Sequence, residues 1–365
     1  MRNHVKGAGS AVTEYIDTLA QELATRGHDV RLVCWEPPRP GSGAARNQSQ
    51  IFGFRVWLWH HRRGQLANLA FLLFALIHLA RNGKNYDFVI TVDSPAGIPM
   101  VPWLARLFGR HGYRSVNWTM DIFHAATSSG FVARLERWGL AKSDERVTLS
   151  SCMADRLSSM GLTSTIVPLP VTVLSDTAET SGGTDLFYGG YVGPRSPLRD
   201  VLAHLAQLQI PEPGRGISVR AAVSDLGELD LDLPEHFVIS ERMDHSSYQN
   251  VAASAAVHLV VLAARFTGTS LPSKAYSAWA AGKPVLFIGH SECELARDIN
   301  EFDCGWFVPW ERLSDGLRSW KRDYLGELDR KRSGAKQIVK EKLNRNLVGE
   351  TWDQFLQLHC KREVE

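Results

Sequence analysis

VHLVVLAARFTGTSLPSKAYSAWAAGKPVLFIG, residues 257–289, decides how this chain folds. Its first six residues are an apolar run of β-branched and leucine side chains around one histidine, which reads as a buried strand. A loop over 263–271 follows, and Pro272 suits the first turn of a helix over 273–281, because that position has no helical partner for an N–H. Gly282 stops the helix, and 285–288 is a second apolar run. Strand, helix and strand in this order make a parallel crossover unit, whose doubly covered strands are continuous apolar runs. The start of the helix leaves backbone N–H groups facing the loop, where an anion is favoured. Lys274 stands in that first turn, where a cation opposes the helix dipole by a few tenths to about 1 kcal/mol unless an anion compensates. Lys274 is therefore a candidate phosphate ligand, the alternative being a solvated lysine that swings its charge away from the helix end.

The same alternation extends in both directions. Downstream lie a helix over 292–302 and a strand over 306–308. Upstream come strands at 186–188, 217–223 and 237–239, with helices at 198–208 and 246–254. The first half repeats the pattern: a helix from Ser10 to a stop at Gly27, strands at 30–35 and 54–59, and a very apolar helix over 66–81. Strand 88–92, helix 100–108, strand 115–118, helix 131–142, strand 147–149, helix 153–159 and strand 165–167 complete it. Residues 172–184, rich in Ser, Thr, Gly and Asp, read as an exposed linker. The expected fold is α/β, with two Rossmann-like domains facing an interdomain cleft. The first spans 1–172, the linker 173–184 and the second 185–345. A terminal helix over 346–365, with Trp352, Phe355 and Leu356 at helical spacing, is expected to pack back on the first domain. A doubly wound domain carries its Gly-rich turn after a central first strand. Gly7-Ala8-Gly9 lies within ten residues of Met1, so the first strand is expected to be missing, with the true start upstream.

Composition removes several classes of function. The 41 Lys and Arg nearly balance the 39 Asp and Glu, a net charge of +2 that gives no strong field for gripping a nucleic acid. Five cysteines (Cys34, Cys152, Cys293, Cys304, Cys360) are scattered without C-x-x-C or Cys/His ligand spacing, which argues against disulfide frameworks and structural zinc. The longest apolar stretch, 66–80, is interrupted by Asn68 and His78 and falls short of the ~20 residues that a spanning helix needs. The first residues hold Arg2 and Lys6 and no apolar core, so secretion is not expected. The expected location is the cytoplasm.

With these elements in place, Gly268-Thr269-Ser270-Leu271-Pro272-Ser273-Lys274-Ala275-Tyr276, continued by Ala280-Ala281-Gly282-Lys283-Pro284-Val285-Leu286-Phe287-Ile288-Gly289, resembles the donor-binding segment of bacterial family 4 glycosyltransferases. It most resembles their proline-serine-lysine subgroup. Gly189-Gly190-Tyr191-Val192-Gly193, Asp303-Cys304-Gly305-Trp306 and Ala24-Thr25-Arg26-Gly27-His28-Asp29-Val30 extend the resemblance along the chain. It implies the two-domain GT-B fold and transfer of a sugar from a nucleoside diphosphate donor, a co-substrate and not a resident cofactor, to a hydroxyl acceptor with retention. The aligned positions of two glutamates common in the family hold Thr269 and Ser277, neither of which is a carboxylate.

The resemblance implies donor contacts from Gly189, Gly190, Thr269, Ser270, Leu271, Ser273 and Lys274. Gly189 and Gly190 permit close backbone approach, and Arg195 and Arg199 offer planar donors suited to phosphate oxygens. Glu294 is the substitute for the ribose contact, since a carboxylate accepts two hydroxyl hydrogen bonds; an acid that complements a helix dipole is the competing explanation. On the acceptor side stand Gly9, Ser10 and Asp93. Asp121 and His124 follow a strand, and each can take a proton from an acceptor hydroxyl. No metal is expected. His60-His61-Arg62-Arg63 beside the apolar helix suggests contact with an anionic membrane surface, which would suit a lipid-linked acceptor in polysaccharide or glycolipid synthesis. Competing functions are an inactive nucleotide-sugar-binding or scaffold subunit and a nucleotide-sugar epimerase. A dinucleotide oxidoreductase is disfavoured, because no G-x-G-x-x-G follows a strand with an acid about 20 residues on.

Overall fold

The computed structural model describes residues 11–34, 50–53, 65–92, 97–109, 112–122, 130–172, 184–208, 218–223, 227–229, 231, 233–241 and 245–360. In chain order the elements are α1 (Ala11–Thr25), β1 (Arg31–Cys34), β2 (Gln50–Gly53), α2 (Gln65–Asn82), β3 (Phe88–Val92), α3 (Val101–Arg106), β4 (Arg114–Thr119), α4 (Gly130–Lys142), β5 (Glu145–Thr148), α5 (Ser151–Ser158) and β6 (Thr165–Ile166). They continue with β7 (Leu186–Gly190), α6 (Leu198–Gln207), β8 (Val219–Val223), β9 (Phe237–Ser240), α7 (His245–Ser254), β10 (Val257–Val261), α8 (Ser273–Ala280), β11 (Val285–Gly289), α9 (Glu294–Phe302), β12 (Gly305–Pro309), α10 (Leu313–Ile338) and α11 (Arg345–Cys360). The chain forms two compact units. The first holds Met1–Pro170, Gly268–Ser270 and Arg345–Glu365; the second holds Val171–Thr267 and Leu271–Asn344.

In the first unit the strands are parallel, ordered β3-β4-β5-β6, with β1 and β2 paired separately. α2 buries Phe71, Ala75 and Leu79 against Val89, Ile98, Val101 and Tyr113. α11 packs on α1, and Trp352 meets Trp118 of β4 edge to face at 5.3 Å between ring centroids. Glu22 of α1 is buried between two cations: its Oε2 accepts from Arg26 at 2.7 Å and its Oε1 from Arg345 Nε, the first residue of α11. At the other end His359 Nδ1 lies 2.9 Å from Glu145 Oε1.

The second unit is one parallel sheet of six strands in the order β12-β11-β10-β7-β8-β9. Leu186 and Tyr188 of β7 are covered by Val201 and Leu205 of α6, and the same core takes in Leu317, Trp320 and Tyr324 of α10. Asp185 pins the start of β7: its Oδ2 accepts from the Ser218 N–H and Oγ at 2.8 Å each, and its Oδ1 accepts from Tyr324 Oη at 3.0 Å.

The sequence expectations are adjusted at several places. β2 forms at Gln50–Gly53, while the strand expected at 54–59 lies outside the described residues, as do 1–10 and 173–183. The helix expected from residue 100 begins as a 3-10 turn at Ile98–Met100, where Pro99 tolerates the lack of a helical acceptor. α10, the longest helix described, was not anticipated. No helix among the described residues is long and apolar enough to cross a membrane.

Candidate functional site

In the second unit β7 leads through β8 to β9 on one side, while β10 through β12 are laid down on the other. The order therefore reverses between β7 and β10, neighbours through Val257↔Leu186 and His258↔Phe187. Open parallel sheets bind ligands at such a switch point, outside the carboxyl ends of the strands. Here those ends are Gly189-Gly190, which opens the loop to α6, and the loop from β10 to α8.

Each loop is fixed by its own bonds. After β7, Tyr188 Oη donates to the Tyr191 carbonyl, and a tight turn closes where the Ser196 N–H donates to Gly193 O at 2.9 Å and the Gly193 N–H returns to Ser196 O at 3.2 Å. The two loops are tied where the Ala263 N–H donates to the Arg195 carbonyl at 2.9 Å. Phe266, buried in the β10–α8 loop, carries two cations over its ring, Arg195 with Cζ at 5.6 Å from the centroid and Arg265 at 5.0 Å. Two guanidiniums around one ring raise the local positive potential, since the ring face attracts each of them. Pro272 is the N-cap of α8 and supplies no side-chain acceptor to its first turn, where the Ala275 N–H donates back to the Pro272 carbonyl at 3.2 Å.

Lys274 completes the arrangement. Its ammonium lies against Gly190, so that a Cβ there would overlap Nζ and Cε. Among the described residues it has no hydrogen bond or ion pair to satisfy it. Burial without a counter-charge holds its pKa below the ordinary lysine value, because desolvation penalises the charged form. An anion arriving at this point would supply the missing charge and meet the α8 dipole and the Arg195 guanidinium as well.

The structure thus brings Gly189, Gly190, Arg195, Ser273 and Lys274 together around the switch point. Arg199 is exposed in the first turn of α6. Thr269, Ser270 and Leu271 are all buried, and Thr269 and Ser270 associate with the first unit. There the Ile122 N–H donates to Thr269 O at 2.6 Å, and Asp121 and Ser270 form an antiparallel bridge. Glu294 makes an ion pair of its own. It is buried in the first turn of α9, where its Oε1 accepts from Lys342 Nζ at 2.9 Å, and Lys342 also pairs with the buried Asp298 at 2.5 Å. Asp121 is half-buried, while His124, Asp93, Gly9 and Ser10 lie outside the described residues.

Sequence reasoning missed Tyr248 and Phe266. The Tyr248 ring stands against Gly189, leaving no room for a Cβ, and meets Phe187 edge to face at 5.4 Å. Gly189 was the available signal, but a glycine shows only that something approaches, not which residue does.

Residues 10–174 match a family model described as a glycosyl transferase 4-like domain. No curated protein matches the chain. Among solved structures, sucrose-phosphate synthase from Thermosynechococcus elongatus is similar over 98% of this chain and 97% of its own, with a TM-score of 0.71 and 16% identity. HepE of Anabaena, solved in complex with UDP-glucose, is similar over 97% and 98% respectively, with a TM-score of 0.68 and 12% identity. WaaG, a glycosyltransferase involved in lipopolysaccharide biosynthesis, is similar over 98% of both chains, with a TM-score of 0.64 and 15% identity. At these identities the likeness shows the fold.

Proposed function

We propose, for a chain whose residues 10–174 are a glycosyl transferase 4-like domain and whose fold is the GT-B fold of glycosyltransferases, that it transfers a hexosyl or N-acetylhexosaminyl group from a nucleoside diphosphate sugar to a hydroxyl acceptor. The observation that carries this is the uncompensated Lys274 ammonium at the sheet's switch point. Breaking the bond between the anomeric carbon and the diphosphate puts negative charge on the leaving group. Donors already aimed at that charge lower the barrier without reorganising. Lys274, Arg195 and the first-turn N–H groups of α8 are those donors, and with them the transfer is proposed to need no divalent metal. The lack of a Cβ at Gly189 and Gly190 admits the Tyr248 ring and the Lys274 ammonium beside the backbone where the diphosphate is proposed to lie.

On the acceptor side, Asp121 and His124 are proposed to orient or deprotonate the hydroxyl, with Asp93, Gly9 and Ser10 beside them. Retention is the stereochemistry that the family resemblance supports. The proline-serine-lysine segment at 272–274 supports placement in that subgroup. The 1–172 segment is proposed as the acceptor domain and 185–345 as the donor domain. WaaG is involved in lipopolysaccharide biosynthesis and HepE was solved with UDP-glucose, which favours a uridine donor and a polysaccharide or glycolipid product made at the inner face of the cytoplasmic membrane.

Thr269 and Ser277, standing where the family commonly has carboxylates, favour a second reading: a subunit that binds the nucleotide sugar without transferring it. The discriminating assay follows release of nucleoside diphosphate from UDP-, GDP- and ADP-sugars, with and without hydroxyl acceptors, in the wild type and in Lys274→Ala. Acceptor-dependent release from one donor, lost in the variant, supports transfer. Binding of a donor without release under any acceptor supports the subunit.

A further inference from the structure

In the second unit two tyrosines place their hydroxyls on acceptors: Tyr188 Oη donates to the Tyr191 carbonyl and Tyr324 Oη to Asp185 Oδ1 at 3.0 Å. Tyr248 differs from them. It is the fourth residue of α7 and half-buried, and its Oη has no hydrogen-bond partner among the described residues. The ring itself is held firmly. It meets Phe187 edge to face at 5.4 Å and packs, with Val251 and Ala252 of the same helix, on Phe187, Ala222 and Ala255. The phenol is thus fixed in place with its polar end unmatched, whereas polar groups drawn out of water ordinarily find a partner.

Its position identifies the partner. The edge of the Tyr248 ring, Oη included, takes the place of a Cβ on Gly189, and Lys274 Nζ takes the place of one on Gly190. Consecutive strand residues direct a Cβ to opposite faces of a sheet. The packing agrees: α7 covers the face that carries Phe187, while α8 packs with α10, which covers the face that carries Leu186 and Tyr188. Phenol and ammonium therefore close on the carboxyl end of β7 from the two faces. Burial pushes the phenol pKa above its ordinary 10, so at neutral pH Tyr248 offers an O–H donor and no negative charge. An uncompensated ammonium on one side and an unused O–H on the other suit one kind of ligand, an oxyanion with several oxygens, to which hydrogen bonds are charge-assisted. We propose that Tyr248 is a further donor-binding residue, its hydroxyl donating to a phosphate oxygen of the nucleoside diphosphate whose charge Lys274 meets from the opposite face. This inference rests on the diphosphate site proposed above and adds a neutral donor to its cations.

The test is titration calorimetry of UDP, GDP and ADP into the wild type, Tyr248→Phe and Lys274→Met, with phosphorus NMR of the bound complexes. Tyr248→Phe keeps the ring against Gly189 and Phe187 and removes no hydrogen bond within the protein, so its ligand-free Tm should equal that of the wild type or exceed it. For the diphosphate that binds, Kd should rise about tenfold in Tyr248→Phe, the size of a hydrogen bond to a charged group, and at least one phosphorus resonance of the bound ligand should move. A Tyr248→Phe protein that binds as tightly as the wild type, while Lys274→Met does not, overturns the role of Tyr248 and leaves the donor site standing. A weakened Kd with both phosphorus resonances unmoved puts the hydroxyl on the ribose or the base and overturns the phosphate contact. A ligand-free Tm lowered by several degrees overturns it as well, because the hydroxyl then has its partner inside the protein. A folded wild type that binds none of the three diphosphates, or Lys274→Met that binds as well as the wild type, contradicts the donor site itself, and the inference falls with it.

Discussion

The ammonium of Lys274 occupies the space that a Cβ on Gly190 would fill. These two residues lie on the β7 and β10–α8 sides of the switch point, and their contact joins two loops into the proposed anion site. Gly190→Ala would expel the flexible end of Lys274 and place an L side chain at φ +157°, a conformation that favours glycine. The expected outcome is a folded protein, less stable by about 1 kcal/mol, with at least tenfold weaker affinity for a nucleoside diphosphate. Lys274→Ala should cost as much, and the double variant little more, because both remove the same interaction. Titration calorimetry on the four proteins checks this.

Removing the charge should stabilise the empty protein. The folded-state pKa of Lys274 lies below its ordinary 10.5, so between those two values the folded chain binds fewer protons than the unfolded one. Stability then rises with pH through that window, and at neutral pH the uncompensated charge is a cost. Lys274→Met is expected to raise the ligand-free Tm at pH 7 by a few degrees while abolishing the ligand-induced shift. The wild type should gain stability as pH rises through the window, and the variant should lack that gain.

Affinity for the anion should show the reverse dependence. A diphosphate binds the protonated amine, so its affinity falls as pH rises through the lowered Lys274 pKa. In Lys274→Arg the cation persists at alkaline pH, and the decline should be smaller. Kd measured across neutral to alkaline pH for both proteins decides the matter.

In the first unit, Glu22 is the anion shared by Arg26 and Arg345. Burial alone would raise its pKa, but the two guanidiniums outweigh that and hold it below 4.5. Its contribution is present above 4.5 and is lost as pH falls through the lowered folded value. Glu22→Ala should destabilise by about 2 kcal/mol at pH 7, and the gap to wild type should narrow in acid. Urea unfolding at both pH values measures it.

What the sequence revealed follows from how locally each feature is encoded. Strands such as β10 and β11 are legible because parallel strands covered on both faces are unbroken apolar runs, and Lys274 is legible from its place in a helix's first turn. α10 was equally legible, since Leu313, Leu317, Trp320 and Tyr324 stand at the i, i+4, i+7 and i+11 spacing of an amphipathic helix, although the reading above did not extend to it. The pairing of Glu294 with Lys342 joins side chains 48 residues apart, and no local pattern marks either as the other's partner. The same is true of Tyr248 against Gly189 and of Thr269 against Ile122, where tertiary packing chose the partners.

The most direct measurement is titration calorimetry of UDP, GDP and ADP into the wild-type protein and Lys274→Met, without divalent metal. One nucleoside diphosphate should bind the wild type with 1:1 stoichiometry and bind the folded variant at least tenfold more weakly. Equal binding to both proteins, or none to a wild type shown to be folded, would contradict a diphosphate site built on Lys274.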